Sequence, residues 1–253
     1  MKQLIFLLCV LFFSAQPVSA NHSWGNYHWA RTTPVFTLKL GSNVSNDWAT
    51  YLAQASSDWS SSSVLNTSVV SGMAARNCKA VSGRLEVCNK KYGNNGWLGI
   101  AQIWTNGDHI TQALAKMNDT YFGSTKYNTP AWKRLVMCQE IAHGFGLDHQ
   151  DEIFDNANLG TCMDYTSNPL GPPSNEHPNT HDYDQLTQIY QHIDSITTVS
   201  MSASPANASQ GDDIGGDDPK MWGKKLKDNG SVGLYVRDLG HGRKIFTHVY
   251  WIR

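Results

Sequence analysis

Apolar and polar residues alternate along several short stretches of the chain, a pattern typical of β-strands that bury one face. The predicted strands are Val35–Leu40, Val64–Val70, Arg84–Cys88, Trp97–Trp104 and His109–Met117. The dipeptide Asn106-Gly107 stands between the last two strands and favours a tight hairpin turn. The pattern therefore predicts five strands in the first half of the chain.

Two other stretches carry apolar residues at the spacing of an amphipathic helix. The first follows Asn46 or Asp47 as N-cap, and its apolar face holds Trp48, Tyr51, Leu52, Ala55 and Trp59. The second starts at Asp182, with Tyr183, Leu186, Ile189, Tyr190 and Ile193 on one face. Between them, the pair Thr129-Pro130 predicts the start of a helix that runs to about Gly144. The predicted order is therefore one strand, one helix, four strands and two further helices, which fits the α+β class.

The N-terminus has the features of a secretory signal peptide. Lys2 precedes the apolar run Leu4–Phe13, and Val18-Ser19-Ala20 offers a small-residue cleavage site, so we assign residues 1–20 to the signal. The run is too short to span a bilayer. We therefore expect a secreted protein that has no membrane segment after signal cleavage.

The C-terminal part of the chain changes in composition. Residues 21–196 form the main domain, and residues 197–220 are rich in Ser, Ala, Gly and Asp, which is typical of a linker. Residues 221–253 alternate again and predict a small β segment. About thirty residues bury little core alone, so we expect this segment to dock on the main domain or to recruit a partner.

Composition narrows the class of protein further. The chain has 253 residues, 40% of them hydrophobic, and nine tryptophans, which is enough for a substantial core. The net charge is −1 and no basic stripe occurs, so nothing indicates binding to nucleic acid or to an anionic membrane. Beyond the signal, four cysteines remain in a chain sent to an oxidising compartment, which predicts two disulfides: the cysteines are Cys78, Cys88, Cys138 and Cys162.

One stretch carries most of the chemistry, the run Cys138–His149. Gln139 and His143 are four residues apart and share a helix face, with Glu140 beside them. Gly146 can end the helix and turn the chain, which brings His149 back towards His143. Two imidazoles, a carboxamide and a free carboxylate then converge, as a hydrolytic zinc site requires.

This run resembles the metzincin zinc-protease signature HExxHxxGxxH at every fixed position except the first, where Gln139 replaces histidine. The stretch Gly160–Tyr165 resembles the Met-turn of that family, with Met163 at its centre, and Tyr165 is similar to a tyrosine that astacins and serralysins place near the metal. The resemblance implies a metzincin-like fold over about residues 35–195: a mixed five-stranded sheet, an active-site helix, the Met-turn and a C-terminal helix.

The resemblance also implies roles for single residues. One catalytic Zn²⁺ would be held by Gln139, His143 and His149, with Glu140 as general base and Tyr165 as a stabiliser of the oxyanion. Met163 would be a structural floor and Gly146 the structural turn. A nearby carboxylate, Asp148 or Asp151, is an alternative ligand, although helix geometry favours Gln139.

In that family the fourth strand is a sheet edge that pairs with an extended substrate. An exposed edge is a hydrogen-bonding template for a peptide, so Leu98 to Gln102, and in particular Leu98, Gly99, Ile100 and Ala101, are candidates for binding the substrate backbone. The alternative is an edge that a neighbouring loop covers.

Of the three possible cysteine pairings, we expect Cys78 with Cys88 and Cys138 with Cys162. The second pair would link the helix at Gln139 to the Met-turn.

The preferred interpretation is a monomeric, secreted zinc endopeptidase that acts on protein or peptide. The alternative is a degenerate metzincin-like protein that binds peptide or protein without cleaving it. In either case, residues 222–253 could form a carbohydrate- or partner-binding module.

Overall fold

The computed structural model describes residues 22–73, 78–200 and 216–253. The predicted signal peptide and residues 201–215 of the predicted linker lie outside the described residues. The strands are β1 His28–Trp29, β2 Phe36–Asn43, β3 Leu65–Ser71, β4 Leu85–Lys90, β5 Trp97–Asn106, β6 His109–Asn118, β7 Lys224–Asp228, β8 Val232–Gly240 and β9 Arg243–Trp251. The helices are α1 Asn46–Trp59, α2 Asp119–Phe122, α3 Pro130–His143 and α4 Thr180–Ile189, with one 3-10 turn at Pro219–Met221.

All the strands belong to one mixed sheet, which confirms the α+β class. Its order is β3-β2-β4-β6-β5-β9-β8-β7, and β1 pairs with β6 off this path. The strands from β1 to β4 pair in parallel with their neighbours, and β5 is antiparallel to β6. The five predicted strands are present, but the sheet formed by the described residues has nine strands, so the predicted five-stranded sheet is too small.

The additional strands come mainly from the C-terminal segment, which continues the sheet. Strand β9 is antiparallel to β5 along the whole of β5, from Trp97 to Asn106, and β8 and β7 follow outside it. Strand β5 is therefore an inner strand, and the prediction of an open or loop-covered edge at Leu98, Gly99, Ile100 and Ala101 is wrong. Between Trp97 and Trp104, Gln102 is the one polar residue of β5, a composition typical of a strand buried on both faces, and the residues of β5 are buried as far as Thr105.

Helices α1 and α3 pack together, and both contact the sheet. The predicted apolar face of α1 is buried at Trp48, Leu52, Ala55 and Trp59. The indole Nε1 of Trp59 donates to the carbonyl of Cys138 at 3.2 Å, which ties α1 to the middle of α3. Helix α3 is buried along most of its length, so its side chains are held by contacts from several directions.

Both disulfides form between the predicted partners. Cys78 is bonded to Cys88, and Cys138 is bonded to Cys162. The second bond links α3 to the turn that holds Met163. The disulfide therefore holds Gln139, the residue after Cys138, close to this turn.

Candidate metal centre

Local sequence sets the start and end of α3. The side chain of Thr129 accepts a hydrogen bond from the backbone of Trp132, and Pro130 occupies the first turn, where its missing N–H costs nothing. The helix ends at His143. Gln139, Glu140 and His143 are all buried, at most 1% exposed.

Beyond the helix, Gly146 turns the chain. Its φ is +98°, and a Cβ at this position would lie 2.3 Å from the backbone oxygen of Tyr27. The neighbouring N-terminal arm, residues 22–29, runs beside the turn. The backbone N–H of Trp24 donates to the carbonyl of Gly146 at 2.9 Å, and the backbone N–H of Asp148 donates to the carbonyl of His22 at 2.8 Å. Gly146 thus allows both the reversal and the close approach of the arm.

Replacing Gly146 by alanine is expected to lower the free energy of unfolding by roughly 2–3 kcal/mol, because it adds backbone strain and a clash with Tyr27. Urea denaturation measures the change. The matched control is Gly107→Ala, since Gly107 also has a positive φ, +60°, but open space around it. The control should cost only about 1 kcal/mol, and equal losses for both variants would contradict the contact with Tyr27.

The turn brings His149 to His143. Their Nε2 atoms lie 3.2 Å apart, while the outer nitrogens have other partners. Nδ1 of His143 donates to the carbonyl of Leu147 at 2.8 Å, and Nδ1 of His149 faces Oε1 of Glu152 at 3.3 Å. A proton held on each Nδ1 leaves both Nε2 lone pairs unprotonated and directed into the same space.

Two facing lone pairs repel each other unless a cation lies between them. Ligands at the usual zinc–nitrogen distance in a tetrahedral site are about 3.3 Å apart, close to the observed separation of the two Nε2 atoms. The pair His143 and His149 therefore fits a zinc ion by geometry and by protonation state.

A third histidine completes the cluster, and the sequence analysis did not single it out. His248 lies on β9, is 2% exposed, and has a ligand atom within 4.8 Å of those of His143 and His149. Its ring stacks on that of His143 at 4.0 Å between centroids, and Trp24 stacks on His248 at 4.7 Å. The signal in the sequence was a histidine within a predicted strand, next to the apolar residues Val249 and Tyr250, and that signal does not identify a partner.

The two polar atoms of the Gln139 carboxamide have different surroundings. Its Nε2 donates to the carbonyl of Cys162 at 2.8 Å, and this leaves its Oε1 as a buried acceptor without a hydrogen-bond partner among the described residues. A buried acceptor without a partner is costly, and a cation would remove that cost. The carboxamide of Gln139 thus fits a metal ligand.

The two alternative carboxylates have other contacts. Oδ1 of Asp148 lies 3.3 Å from Nε2 of His248, and Oδ1 of Asp151 accepts the backbone N–H of Ile153 at 2.9 Å. Asp148 also flanks His149 together with Glu152. These contacts suit Asp148 and Glu152 to orienting the histidines.

Burial and neighbouring groups shift the pKa values of the titratable side chains at this centre. Desolvation lowers the pKa of His143 well below its usual value, and the neighbouring His248 and His149 lower it further. Burial likewise lowers the pKa of His248. Burial tends to raise the pKa of Asp148, but the hydrogen bond with His248 and the proximity of His149 and His143 together outweigh burial and lower the pKa. Burial therefore favours the neutral forms of His143 and His248, which suits them to binding a cation.

Glu140 is buried in apolar surroundings next to β5. Burial raises its pKa well above the usual value, and its Oε2 has no hydrogen-bond partner among the described residues. A Cβ on Gly99 would lie 2.4 Å from Oε1 of Glu140, so only glycine leaves room for this carboxylate. Gly99, predicted to bind substrate backbone, instead contacts the predicted base.

The C-terminal segment also contacts the remaining predicted residues. The hydroxyl of Tyr165 donates to the carbonyl of Ser231 at 2.5 Å, and its ring stacks on Tyr250 at 4.1 Å. Met163 is fully buried in the main core, and its carbonyl accepts the backbone N–H of Gln150 at 2.6 Å. Tyr165 is therefore engaged by the strands that cover the centre.

The fold and site define an α+β protein with a buried centre of three histidines, next to a helix that carries a free glutamate. No family model matches the chain, and no curated protein matches it. Among solved structures, that of myroilysin is similar with a TM-score of 0.38 and 11% identity, covering 68% of this chain and 99% of the other. A similarity this low carries no argument about function.

Proposed function

We propose that this protein is a secreted, zinc-dependent peptidase of the metzincin type that is held in a closed form by its own C-terminal strand. The observation that carries the proposal is the pair of Nε2 atoms of His143 and His149, buried and 3.2 Å apart. Glu140 follows the third protein donor, Gln139, on the same helix. This set of donors and one free carboxylate is what a metal-dependent hydrolase needs.

Gln139, His143 and His149 would hold the ion, and His248 would take the fourth position. Zinc at such a site lowers the pKa of bound water and polarises a carbonyl group. Catalytic zinc sites keep one position for water, whereas structural sites are closed by four protein ligands. His248 would therefore have to leave for water to enter.

Glu140 is the proposed general base. A buried carboxylate with a raised pKa can accept a proton from water and pass it to the leaving amine of a peptide. Its Oε2 lacks a partner among the described residues, which leaves that oxygen able to accept a proton from water. Tyr165 would donate to the oxyanion only after its hydroxyl is released from Ser231.

The proposed substrate is an extended peptide or protein segment, and β9 occupies the place where it would pair. Gly99 stands opposite Tyr250, Ile100 opposite Val249 and Ala101 opposite His248. A strand that adds to a sheet edge uses the same backbone hydrogen bonds as a bound peptide. By pairing with β5, strand β9 thus blocks the sheet edge and also supplies His248.

The same features favour a second candidate, a protein with a closed metal centre and no peptidase activity. Three histidines and one carboxamide can saturate a tetrahedral ion, as in structural zinc sites. This candidate corresponds to a degenerate metzincin-like protein. It predicts tight metal binding that no C-terminal variant converts into cleavage.

Secretion is part of the proposal. Disulfides persist in oxidising compartments, and this chain forms two of them. None of the described helices is long and apolar enough to cross a membrane. The net charge of −1 offers no electrostatic attraction for nucleic acid, and the proposed enzyme is a monomer that acts on peptides.

The test compares the full-length protein, secreted by an oxidising host, with His248→Ala and with His248→Ala combined with Glu140→Gln. Bound metal is measured by mass spectrometry and cleavage by release of peptides from casein. His248→Ala is expected to cleave casein faster than the wild type, and adding Glu140→Gln is expected to reduce that rate by about 10²- to 10⁴-fold while metal is retained.

The matched control is His177→Ala, because His177 is half exposed and pairs with Asp58 away from the centre. It should leave both metal and cleavage unchanged. A His248→Ala protein that is folded and zinc-loaded but inert would favour the second candidate. A folded wild type that binds no metal would contradict both.

A further inference from the structure

A second group of histidines lies outside the proposed peptidase centre and shares no residue with it. We call it the His28 cluster: His28, His109, His192 and Asp194. His28 belongs to β1 and His109 to the start of β6, where the two stand opposite each other in the strand pairing. His192 and Asp194 follow α4. Three separate parts of the chain thus meet at one point.

The donor atoms in this cluster are closely spaced. Oδ1 of Asp194 lies 3.4 Å from Nε2 of His28 and 3.5 Å from Nε2 of His192, and the two Nε2 atoms are 3.2 Å apart. These separations match the edges of a tetrahedral zinc site, about 3.3 Å. His109 lies 3.2 Å from the same oxygen of Asp194 through its Nε2.

The outer contacts hold these donors in place. Nδ1 of His28 lies 2.6 Å from the carbonyl of Asn26, which fixes the proton on Nδ1 and leaves Nε2 as an acceptor. Oδ2 of Asp194 accepts the backbone N–H of Arg31 at 3.0 Å. Nε2 of His28 and Oδ1 of Asp194 are then two acceptors facing each other, an arrangement that a cation stabilises.

Burial and access also suit a metal ion. The side chains of His28 and Asp194 are 6% and 9% exposed, so their positions are constrained by packing. The side chain of His192 is 52% exposed and leaves a path from solvent. Two imidazoles and one carboxylate are donors that zinc and similar transition metals prefer over calcium or magnesium.

We propose that His28, His192 and Asp194 bind a second transition-metal ion, preferably zinc, with His109 positioning the carboxylate and water completing the coordination. The site would tie the N-terminal arm to β6 and to the segment after α4. The arm carries Trp24, which stacks on His143 and His248. The ion would therefore stabilise the wall of the first centre without taking part in its chemistry.

The test counts metal in the full-length protein after removal of bound ions, reconstitution with zinc and gel filtration. The wild type is expected to carry about two ions per chain, and His192→Ala and His143→Ala about one each. The double variant should carry none. His192 is half exposed, so His192→Ala should fold, and circular dichroism checks this. His177→Ala is again the control and should match the wild type.

A second readout needs no intact first centre. In the His143→Ala background, added zinc is expected to raise the melting temperature, and this increase should disappear when His192→Ala is added. Cobalt reconstitution of His143→Ala should also give the visible absorption of a four-coordinate site. A folded His192→Ala protein that keeps as many ions as the wild type, or a His143→Ala protein whose melting temperature does not rise with zinc, would overturn the proposal whether or not the protein is a peptidase.

Discussion

Replacing His143 by alanine is expected to remove nearly all metal from the first centre, whereas replacing His248 is expected to leave most of it bound. His143 stands between the other donors: its Nε2 faces that of His149 at 3.2 Å, and its ring stacks on His248 at 4.0 Å. Without it, Gln139, His149 and His248 remain, but the residue that faces both of these histidines is lost. Without His248, three donors from one short stretch of chain remain, as in open catalytic sites.

Competition with a chromophoric zinc chelator measures the difference as a dissociation constant. Loss of a residue that only orients a ligand typically weakens metal binding about 10- to 100-fold, and we expect more than that for His143→Ala but less for His248→Ala. The measurement is made in the His192→Ala background, so that only the first centre is titrated. If His248→Ala loses metal as completely as His143→Ala, then His248 is an obligatory ligand and the centre is a closed one.

Without metal, Glu140→Gln is expected to raise the free energy of unfolding at neutral pH. Burial raises the folded-state pKa of Glu140 above its usual 4.5. Below the unfolded pKa both states hold the proton, so Glu140 costs nothing there. As the pH rises above the unfolded-state pKa, the unfolded chain releases the proton first. The free energy of unfolding then falls by at most about 1.4 kcal/mol per pH unit until the folded-state pKa is reached.

Glutamine carries no such proton, so the gap between the variant and the wild type should widen with rising pH. Urea denaturation in EDTA at several pH values from about 5 to 8 measures this gap. Glu176→Gln is the control of opposite sign. Burial tends to raise the pKa of Glu176, but the contact with Arg134 outweighs burial and lowers it, so this variant should lose stability at neutral pH. A gap for Glu140→Gln that stays constant with pH would contradict a carboxyl group that burial protonates.

Of these variants, His248→Ala removes one of three contacts that the C-terminal strand combines. Strand β9 pairs with β5, supplies His248 and, through Tyr250, stacks on Tyr165. If the closed form is a resting state, the metal stays when β9 is disturbed, and cleavage appears. If the closed form is instead the permanent state of the protein, disturbing β9 changes the free energy of unfolding and produces no cleavage.

Some features of the centre could be predicted because they depend on residues close together in sequence. Thr129 and Pro130 start α3 by capping its first turn, and Gly146 reverses the chain because only glycine adopts its φ at low cost. The spacing of His143 and His149 then brings the two rings together. The disulfide between Cys138 and Cys162 was also predicted, and it is formed.

Other predictions gave the correct secondary structure for a segment but the wrong neighbours in the sheet. Leu98, Gly99, Ile100 and Ala101 do form a strand beside α3, but that strand is internal. The alternation of the C-terminal segment predicted strands correctly, yet a period of two says nothing about which strand becomes the neighbour. The mostly apolar composition of β5, with Gln102 as the one polar residue between Trp97 and Trp104, was the available sign that both of its faces are buried.

The sequence by itself determined the helix with Gln139, Glu140 and His143, the turn at Gly146 and the return of His149, because short-range backbone and side-chain interactions decide each of these. Only the tertiary structure decided that β9 lies on β5, that His248 joins the centre, and that His28, His192 and Asp194 meet elsewhere. These contacts join residues far apart in the chain, and they follow from the pairing of whole strands and the burial of their apolar faces.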